Sequence, residues 1–527
     1  MKNTESIKEA PSGFFEPNPK KISPKIHVYD IWRYEETKAG GYALPTGVYR
    51  DGILKLINHM GFWKKYKTDG SYNFIKEKQN IIEAVTIAHI RDAMTDYVNK
   101  TAKTTSFDYA GITFNPTAEK LKEIFFANST SIFNDAILAH LPNHTRPVLR
   151  DDSKTAYFPF KNCVLKATKD GVKTINYKDL PAYCIWKEHI INRDCEYTED
   201  GEKSQFRKFI KNVSGISEEI KEESIPDNGA NRFKAFGTAM GYLLHNYSSP
   251  STARAVIAYD QELSGKYDPN GGTGKGIIAQ AVKQLRNTAT IDGKKIKDDN
   301  QFSYQMVNER TQVIYFDDMR SNFDFLTFNS NLTEGWQIER KRRDAFRFAP
   351  GENPKTYISS NSILKNSEGT TAKRRQFIIE FAPYYSQIAR LDREPILETH
   401  GNMFFMDDWS QEEWNRFYSY MVDCAAYYLA YGLQFYQLIA VNDNKLLQKT
   451  NTDFVEFINS KEIQPGENYS ITDWAKEFKE LYYGEDSEFN SRMFGHFINI
   501  YAKIKGWDAK RTRSREGVLV KFTEKTN

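Results

Sequence analysis

The stretch ARAVIAYDQELSGKYDPNGGTGKGIIAQAV, residues 253–282, constrains this chain more than any other. An unbroken apolar run reads as a buried strand, a glycine-rich loop comes next, and GKGIIAQAVKQL (274–285) reads as a helix. Glycines let successive backbone N–H groups turn toward one anion, and the helix N-terminus adds partial positive charge. The expected phosphate-binding set is therefore Asn270, Gly271, Gly272, Thr273, Gly274, Lys275 and Gly276, with Lys275 reaching the β- and γ-phosphates. Two positions depart from GxxxxGK[ST]: Pro269 takes the place of the first glycine, and Gly276 that of the Ser or Thr whose hydroxyl ligates Mg²⁺. A metal here is held through water, by Thr273 or by carboxylates elsewhere. The competing reading is a glycine-rich turn without a ligand, or a phosphate loop that has lost its activity.

The next elements of the chain favour the first reading. QVIYFDD (312–318) sets four apolar residues ahead of Asp317 and Asp318, about forty residues beyond Lys275. Two acids at the carboxyl end of a strand are what a Walker B element requires. Asp317 is assigned to Mg²⁺, directly or through water, and Asp318 to the attacking water. KTYISSN (355–361) ends a further strand on Asn361, whose amide suits a sensor of the water or the γ-phosphate. Arg374 and Arg375 precede the strand RQFIIEF, and an arginine lent by a neighbouring subunit stabilises charge on a transferring phosphoryl group. Either one fits that role. Between these elements, WQIERKRRDAFRF (336–348) reads as a hairpin carrying Arg340, Lys341, Arg342 and Arg343. Four consecutive cations repel one another unless an anionic partner is present. A helix is expected over QFSYQMVNE, another over 230–247 and a helical block around 410–440. Strands alternating with helices at this spacing imply a parallel sheet with crossover helices.

The flanks are less regular. Residues 1–25, with four prolines, read as a loose arm, and 26–227 as a mixed α+β region. Within it, 80–100 and 117–141 show helical spacing, GGYALPTGVYRDGIL suggests short strands, and YFPFKNCVLKATKDGVKTINY a hairpin around Asp170-Gly171. The ATPase-like region spans 228–441. NDNKLLQKTN (442–451) reads as a polar linker. Residues 452–527 form a small basic unit, with helices near 453–460, 472–483 and 490–503 and a terminal hairpin, a winged-helix pattern. Within 497–527, eight cations face three acids, among them Lys510, Arg511, Arg513 and Arg515, with Trp507 as a stacking surface.

Composition excludes the remaining classes. A net charge of +4 over 527 residues is neither a polycation nor an acidic solvator, and 40% hydrophobic content supports real cores. No apolar run approaches a membrane span, no signal peptide opens the chain, and the four cysteines show no metal-ligand spacing. These features predict a cytoplasmic protein.

The order GGTGKG, VIYFDD, basic hairpin, YISSN and RRQFIIEF resembles the superfamily 3 helicases, specifically the phage- and poxvirus-type primase-helicase group. That resemblance implies an AAA+-like P-loop NTPase core with ATP and Mg²⁺ as cofactors. It makes Lys275 the phosphate lysine, Asp317 and Asp318 the Walker B pair, Asn361 sensor 1, and Arg374 or Arg375 the arginine finger. Arg340 to Arg343 become the DNA-contacting hairpin of a homo-hexamer that moves on single-stranded or forked DNA. No clustered carboxylates of primase type occur over 26–150, so a primase or polymerase would be a separately encoded partner. The implied function is an ATP-dependent helicase for replication of a phage, plasmid or integrated element. The alternatives are a nucleotide-dependent DNA-binding initiator or assembly protein that does not unwind, and a degenerate structural P-loop protein.

Overall fold

A computed structural model describes residues 20–23, 26–29, 31–35, 44–67, 70–102, 107–109, 112–114, 116–216, 227–261, 272–296, 302–349, 351–367, 369–389, 391–438, 441–483, 490–514 and 517–524. Packing divides the chain into two units, Met1–Leu149 with Lys178–Glu188, and Arg150–Tyr177 with His189–Asn527. The break falls at Leu149, not at 227, because the segment 155–175 contributes to the core of the second unit.

In the first unit, helices Arg50–His59, Ile87–Thr101 and Ala118–Ala127 pack around Ile53, Leu56, Ile57, Ile90, Met94 and Phe125. The helical pattern over 80–100 is only partly realised. Ile81–Val85 is a strand, antiparallel to Tyr72–Lys78 and parallel to Ile185–Trp186. The helix begins after Thr86, whose hydroxyl accepts from His89 N while the Thr86 N–H donates to His89 Nδ1. GGYALPTGVYRDGIL likewise splits, its last residues opening the helix Arg50–His59.

The second unit is built on five strands: β1 (Ala255–Asp260), β2 (Thr288–Asp292), β3 (Val313–Asp317), β4 (Lys355–Ser359) and β5 (Gln376–Phe381). All pair in parallel, in the spatial order β2-β3-β4-β1-β5. β1 and β4 are buried along their whole length, which explains the continuous apolar run of β1, whereas β4 buries Lys355, Thr356 and Ser359 as well. On one face lie α1 (Gln205–Val213), α2 (Asp227–Leu244), α3 (Lys275–Lys283) and α4 (Gln411–Tyr431), packed on Val256, Ala258, Val313 and Tyr315. A Cβ at Gly241 of α2 would strike the Cys424 carbonyl oxygen of α4, so glycine sets the close crossing of these helices. The other face carries Ile257, Ile314 and Phe316 under Trp336, which is wholly buried.

QFSYQMVNE is not helical. It folds as successive turns, with Gln305 N donating to Phe302 O and Val307 N to Tyr304 O, because Val307 is drawn into the core. The hairpin pattern around Asp170-Gly171 extends to a three-stranded antiparallel sheet, Thr155–Pro159, Val164–Thr168 and Gly171–Ile175.

NDNKLLQKTN is not a linker but the helix Val441–Lys449, anchored by buried Leu446. Beyond it come α5 (Thr452–Asn459), β6 (Asn468–Ser470), α6 (Ile471–Tyr482), α7 (Ser491–Lys505), β7 (Trp507–Ser514) and β8 (Gly517–Glu524). The strands form a sheet in the order β6-β8-β7 over a core of Phe454, Phe478, Phe494, Ile498, Val520 and Phe522. Among the described residues, no helix is long and apolar enough to cross a membrane. All four cysteines are free and buried.

Candidate nucleotide-phosphate site

β1 sits between β4 and β5, while β2 and β3 extend the sheet on the β4 side. The direction in which successive strands are added therefore reverses beside β1, and the crevice at the carboxyl ends of such strands is where ligands bind in open α/β sheets. Asp260, Asp317 and Asn361 all lie at those ends, and α3 begins there with Lys275.

Asn270 and Gly271 lie outside the described residues. Gly272 and Gly274 adopt φ of +86° and +101°, and Gly274 is the N-cap of α3. A Cβ at 274 would also lie 2.7 Å from Phe209 Cζ, so backbone and packing both require glycine. Lys275 is buried, and its ammonium contacts the Asp260 carboxylate, Asn361 Oδ1 at 2.8 Å and Thr273 Oγ1 at 3.4 Å. Thr273 Oγ1 in turn donates to Asp260 Oδ1 at 2.6 Å. The lysine charge is thus already desolvated and held by an acid that an incoming phosphate would replace.

Strand alternation turns Asp317 to the same face as Tyr315 and α3. Its Oδ1 accepts from Tyr315 Oη at 2.6 Å and from Ser359 Oγ at 3.3 Å. Burial raises the pKa of the Tyr315 hydroxyl, which keeps it a donor. Asp318 succeeds the strand at φ +52°, a left-handed conformation that a non-glycine residue adopts at a cost of roughly 1–3 kcal/mol. It is fixed from three sides. Its N–H donates to Ser359 Oγ at 3.0 Å, its Oδ1 accepts from Asn361 Nδ2 at 3.1 Å, and its other oxygen pairs with Lys294. Asn361 therefore joins Lys275 to Asp318 through one amide.

Asp317 and Asp318 would supply the one or two carboxylate oxygens that Mg²⁺ takes when substrate phosphates and water complete its shell, and as hard oxygen donors they fit that ion. Among the described residues, no three His, Cys, Asp or Glu side chains form a dedicated metal cage.

The expected cations separate. Arg375 Nη1 donates to the Pro250 and Ala253 carbonyls at 2.6 and 3.3 Å, a structural tie between loops. Arg374 is exposed at the end of the helix Thr370–Arg374 and makes no hydrogen bond or ion pair among the described residues. In the hairpin Gln337–Arg340/Arg343–Arg347, Arg340 is half-buried, stacked over Phe346, bonded to Asp344 O and paired with Glu309 at 3.3 Å. Lys341 and Arg342 form its exposed tip, Arg342 with φ +60°, and Arg343 opens the returning strand. On β7, Lys510 and Arg513 are exposed, whereas Arg511 donates to Gly495 O and Asn499 Oδ1 of α7. Arg515 lies outside the described residues.

Asp260, Lys294, Tyr315 and Ser359 belong to the site without having been singled out by the sequence. Asp260 carried a signal, an acid ending the strand ahead of a glycine loop. Tyr315 reads as one more apolar strand residue, and only its position beside Asp317 reveals its role.

Among solved structures the chain is similar to the A form apo structure of the NrS-1 C-terminal region, at 11% identity and TM-score 0.36 over 90% of this chain and 98% of that one. It is also similar to JCV helicase in a small-molecule complex, at 10% identity and TM-score 0.23 over 57% and 62%. A third is ORC2 of Aeropyrum pernix in ADPNP–ADP complexes, at 11% identity and TM-score 0.24 over 58% and 92%. No family model and no curated protein matches the sequence.

Proposed function

We propose that the chain is an ATP-dependent DNA helicase of superfamily 3 type, serving replication of a phage, plasmid or integrated element. The observation that carries this reading is the convergence of Lys275, Asp317, Asp318 and Asn361 at the carboxyl ends of β1, β3 and β4, linked through the Asn361 amide. Lys275 and the N-terminus of α3 bind the phosphates, Asn361 orients the attacking water, and Asp318 polarises it. When bound, Mg²⁺ at Asp317 neutralises charge developing on the phosphates.

The supporting features lie outside this crevice. The exposed Arg374 suits a finger reaching a neighbouring subunit's nucleotide, while Arg375 is committed to loop carbonyls. The Lys341–Arg342 tip suits contact with a DNA strand in the centre of a homo-hexamer. The order α5, β6, α6, α7, β7, β8 with sheet order β6-β8-β7 supports a winged-helix reading of the C-terminal segment. Particle mass by light scattering or electron microscopy, with ATP analogue and single-stranded DNA, tests the assembly. Rings of six support the motor, and monomers under every condition contradict it.

Gly276 favours a second reading. Without the usual hydroxyl, nucleotide would gate DNA binding while hydrolysis stays slow. DNA affinity that depends on nucleotide, without strand displacement, would mark this alternative.

A further inference from the structure

Gly276 lacks the hydroxyl that positions the metal in a phosphate loop, and the structure brings one in from another strand. Beyond its own helix, and among the described residues, a Cβ at 276 would come within 4 Å of one atom, Tyr315 Oη at 3.9 Å. A serine hydroxyl at that position would thus sit within reach of the atom already bonded to Asp317 Oδ1. The tyrosine is rigidly placed: its ring is buried and stacks on Tyr357 at 5.2 Å and 24°, and Tyr357 Oη donates to Lys275 O at 2.8 Å. The hydroxyl is also relayed. Asp318 N donates to Ser359 Oγ, which lies 3.0 Å from Tyr315 Oη, which donates to Asp317. The backbone of Asp318 and the side chain of Asp317 are therefore joined through the Ser359 hydroxyl and one phenol.

We propose that Tyr315 is the positioning residue that replaces the hydroxyl missing at Gly276: its Oη holds Asp317 Oδ1 and thereby presents Oδ2 to the divalent cation of a bound nucleotide. This rests on the nucleotide-binding reading of the site. A hydrogen-bonding partner behind a metal ligand fixes its orientation, and losing one typically costs 10–100-fold in metal affinity. The glycine is part of the same arrangement, because the space it leaves is the space the phenol faces.

The test is the affinity of the full chain for ATPγS by calorimetry, with EDTA and again with Mg²⁺. For the parent, Mg²⁺ tightens binding. Tyr315→Phe keeps the ring stack and loses only the hydroxyl; its affinity in EDTA is expected to match the parent's, while the Mg²⁺-dependent gain shrinks about tenfold. Adding Gly276→Ser to that variant restores the gain, since a Cβ there meets only ordinary van der Waals contact among the described residues. An undiminished Mg²⁺ gain in Tyr315→Phe overturns the proposal. So does an equal loss in EDTA and Mg²⁺ that Gly276→Ser fails to rescue, which marks a merely structural tyrosine. A parent that binds no nucleotide in either condition overturns the underlying function instead.

Discussion

Lys275 Nζ lies 2.8 Å from Asn361 Oδ1, an ammonium of the phosphate loop bound to an amide at the end of the neighbouring strand β4. The amide's other end donates to Asp318 Oδ1 at 3.1 Å. Its orientation is dictated chemically, since an ammonium only donates and a carboxylate only accepts. In the proposed mechanism, phosphate binding and water activation therefore share one side chain. Replacing Asn361 by Ala is expected to lower the ATP hydrolysis rate by about 100-fold, on the scale of losing one preorganised donor. Nucleotide affinity should change far less. A matched fall in affinity and rate would show Asn361 to be a binding residue only.

Asp260 already engages Lys275 and Thr273, the two groups that the proposed function gives to phosphate. Removing one partner of a buried ion pair leaves the other charge uncompensated, at roughly 3–5 kcal/mol. Asp260→Asn is accordingly expected to lower the melting temperature without nucleotide and to bind ATP more tightly. Saturating nucleotide should recover most of the lost stability. Calorimetric melting with and without ligand checks this, and weaker nucleotide binding would contradict it.

Arg374 and Arg375 should behave oppositely. Arg375→Ala removes hydrogen bonds to two loop carbonyls and is expected to reduce thermal stability. Arg374→Ala should melt like the parent yet lose hydrolysis by about 1,000-fold or more if it acts as the finger. Mixing Arg374→Ala with Lys275→Ala subunits should then recover partial activity, each lending what the other lacks. No recovery in the mixed assembly would place the finger elsewhere.

Two histidines predict the acid response. Burial pushes the His400 imidazole down to about 3, and its nitrogens engage Tyr385 Oη at 2.7 Å and Gln205 Oε1 at 3.0 Å. His245, whose Nε2–H donates to Asp152 O at 2.7 Å, is lowered for the same reason. Below pH 6.5 the unfolded chain protonates these groups while the folded chain resists, so protons favour unfolding. Each contributes stability that is complete above about pH 6.5 and declines on acidification, by about 1.4 kcal/mol per pH unit until its folded pKa is reached. His400→Gln should flatten the melting temperature against pH between 6.5 and 4. An unchanged slope would contradict the assignment.

Much of the site was legible because its chemistry is local. A glycine loop, two acids after four apolar residues and an asparagine after another run each announce themselves within ten residues. The strand order was not legible. Nothing in β1 states that β4 and β5 flank it, and that arrangement alone brings Asn361 to Lys275. Polarity misled at 442–451, where a single buried Leu446 anchors a helix in an otherwise polar segment. Helical spacing misled at 81–85, where pairing with two strands outweighed it. Among the four cations of the hairpin, position in the turn separates the exposed Lys341 and Arg342 from Arg340, which Glu309 and Phe346 hold.

The most direct test of the account is the ATP hydrolysis rate of the full chain with and without single-stranded DNA, for the parent and for Lys275→Ala. The account predicts Mg²⁺-dependent hydrolysis that DNA stimulates in the parent and that disappears in the variant. A parent that hydrolyses no ATP with Mg²⁺ or Mn²⁺, or a variant that hydrolyses it equally well, would contradict it.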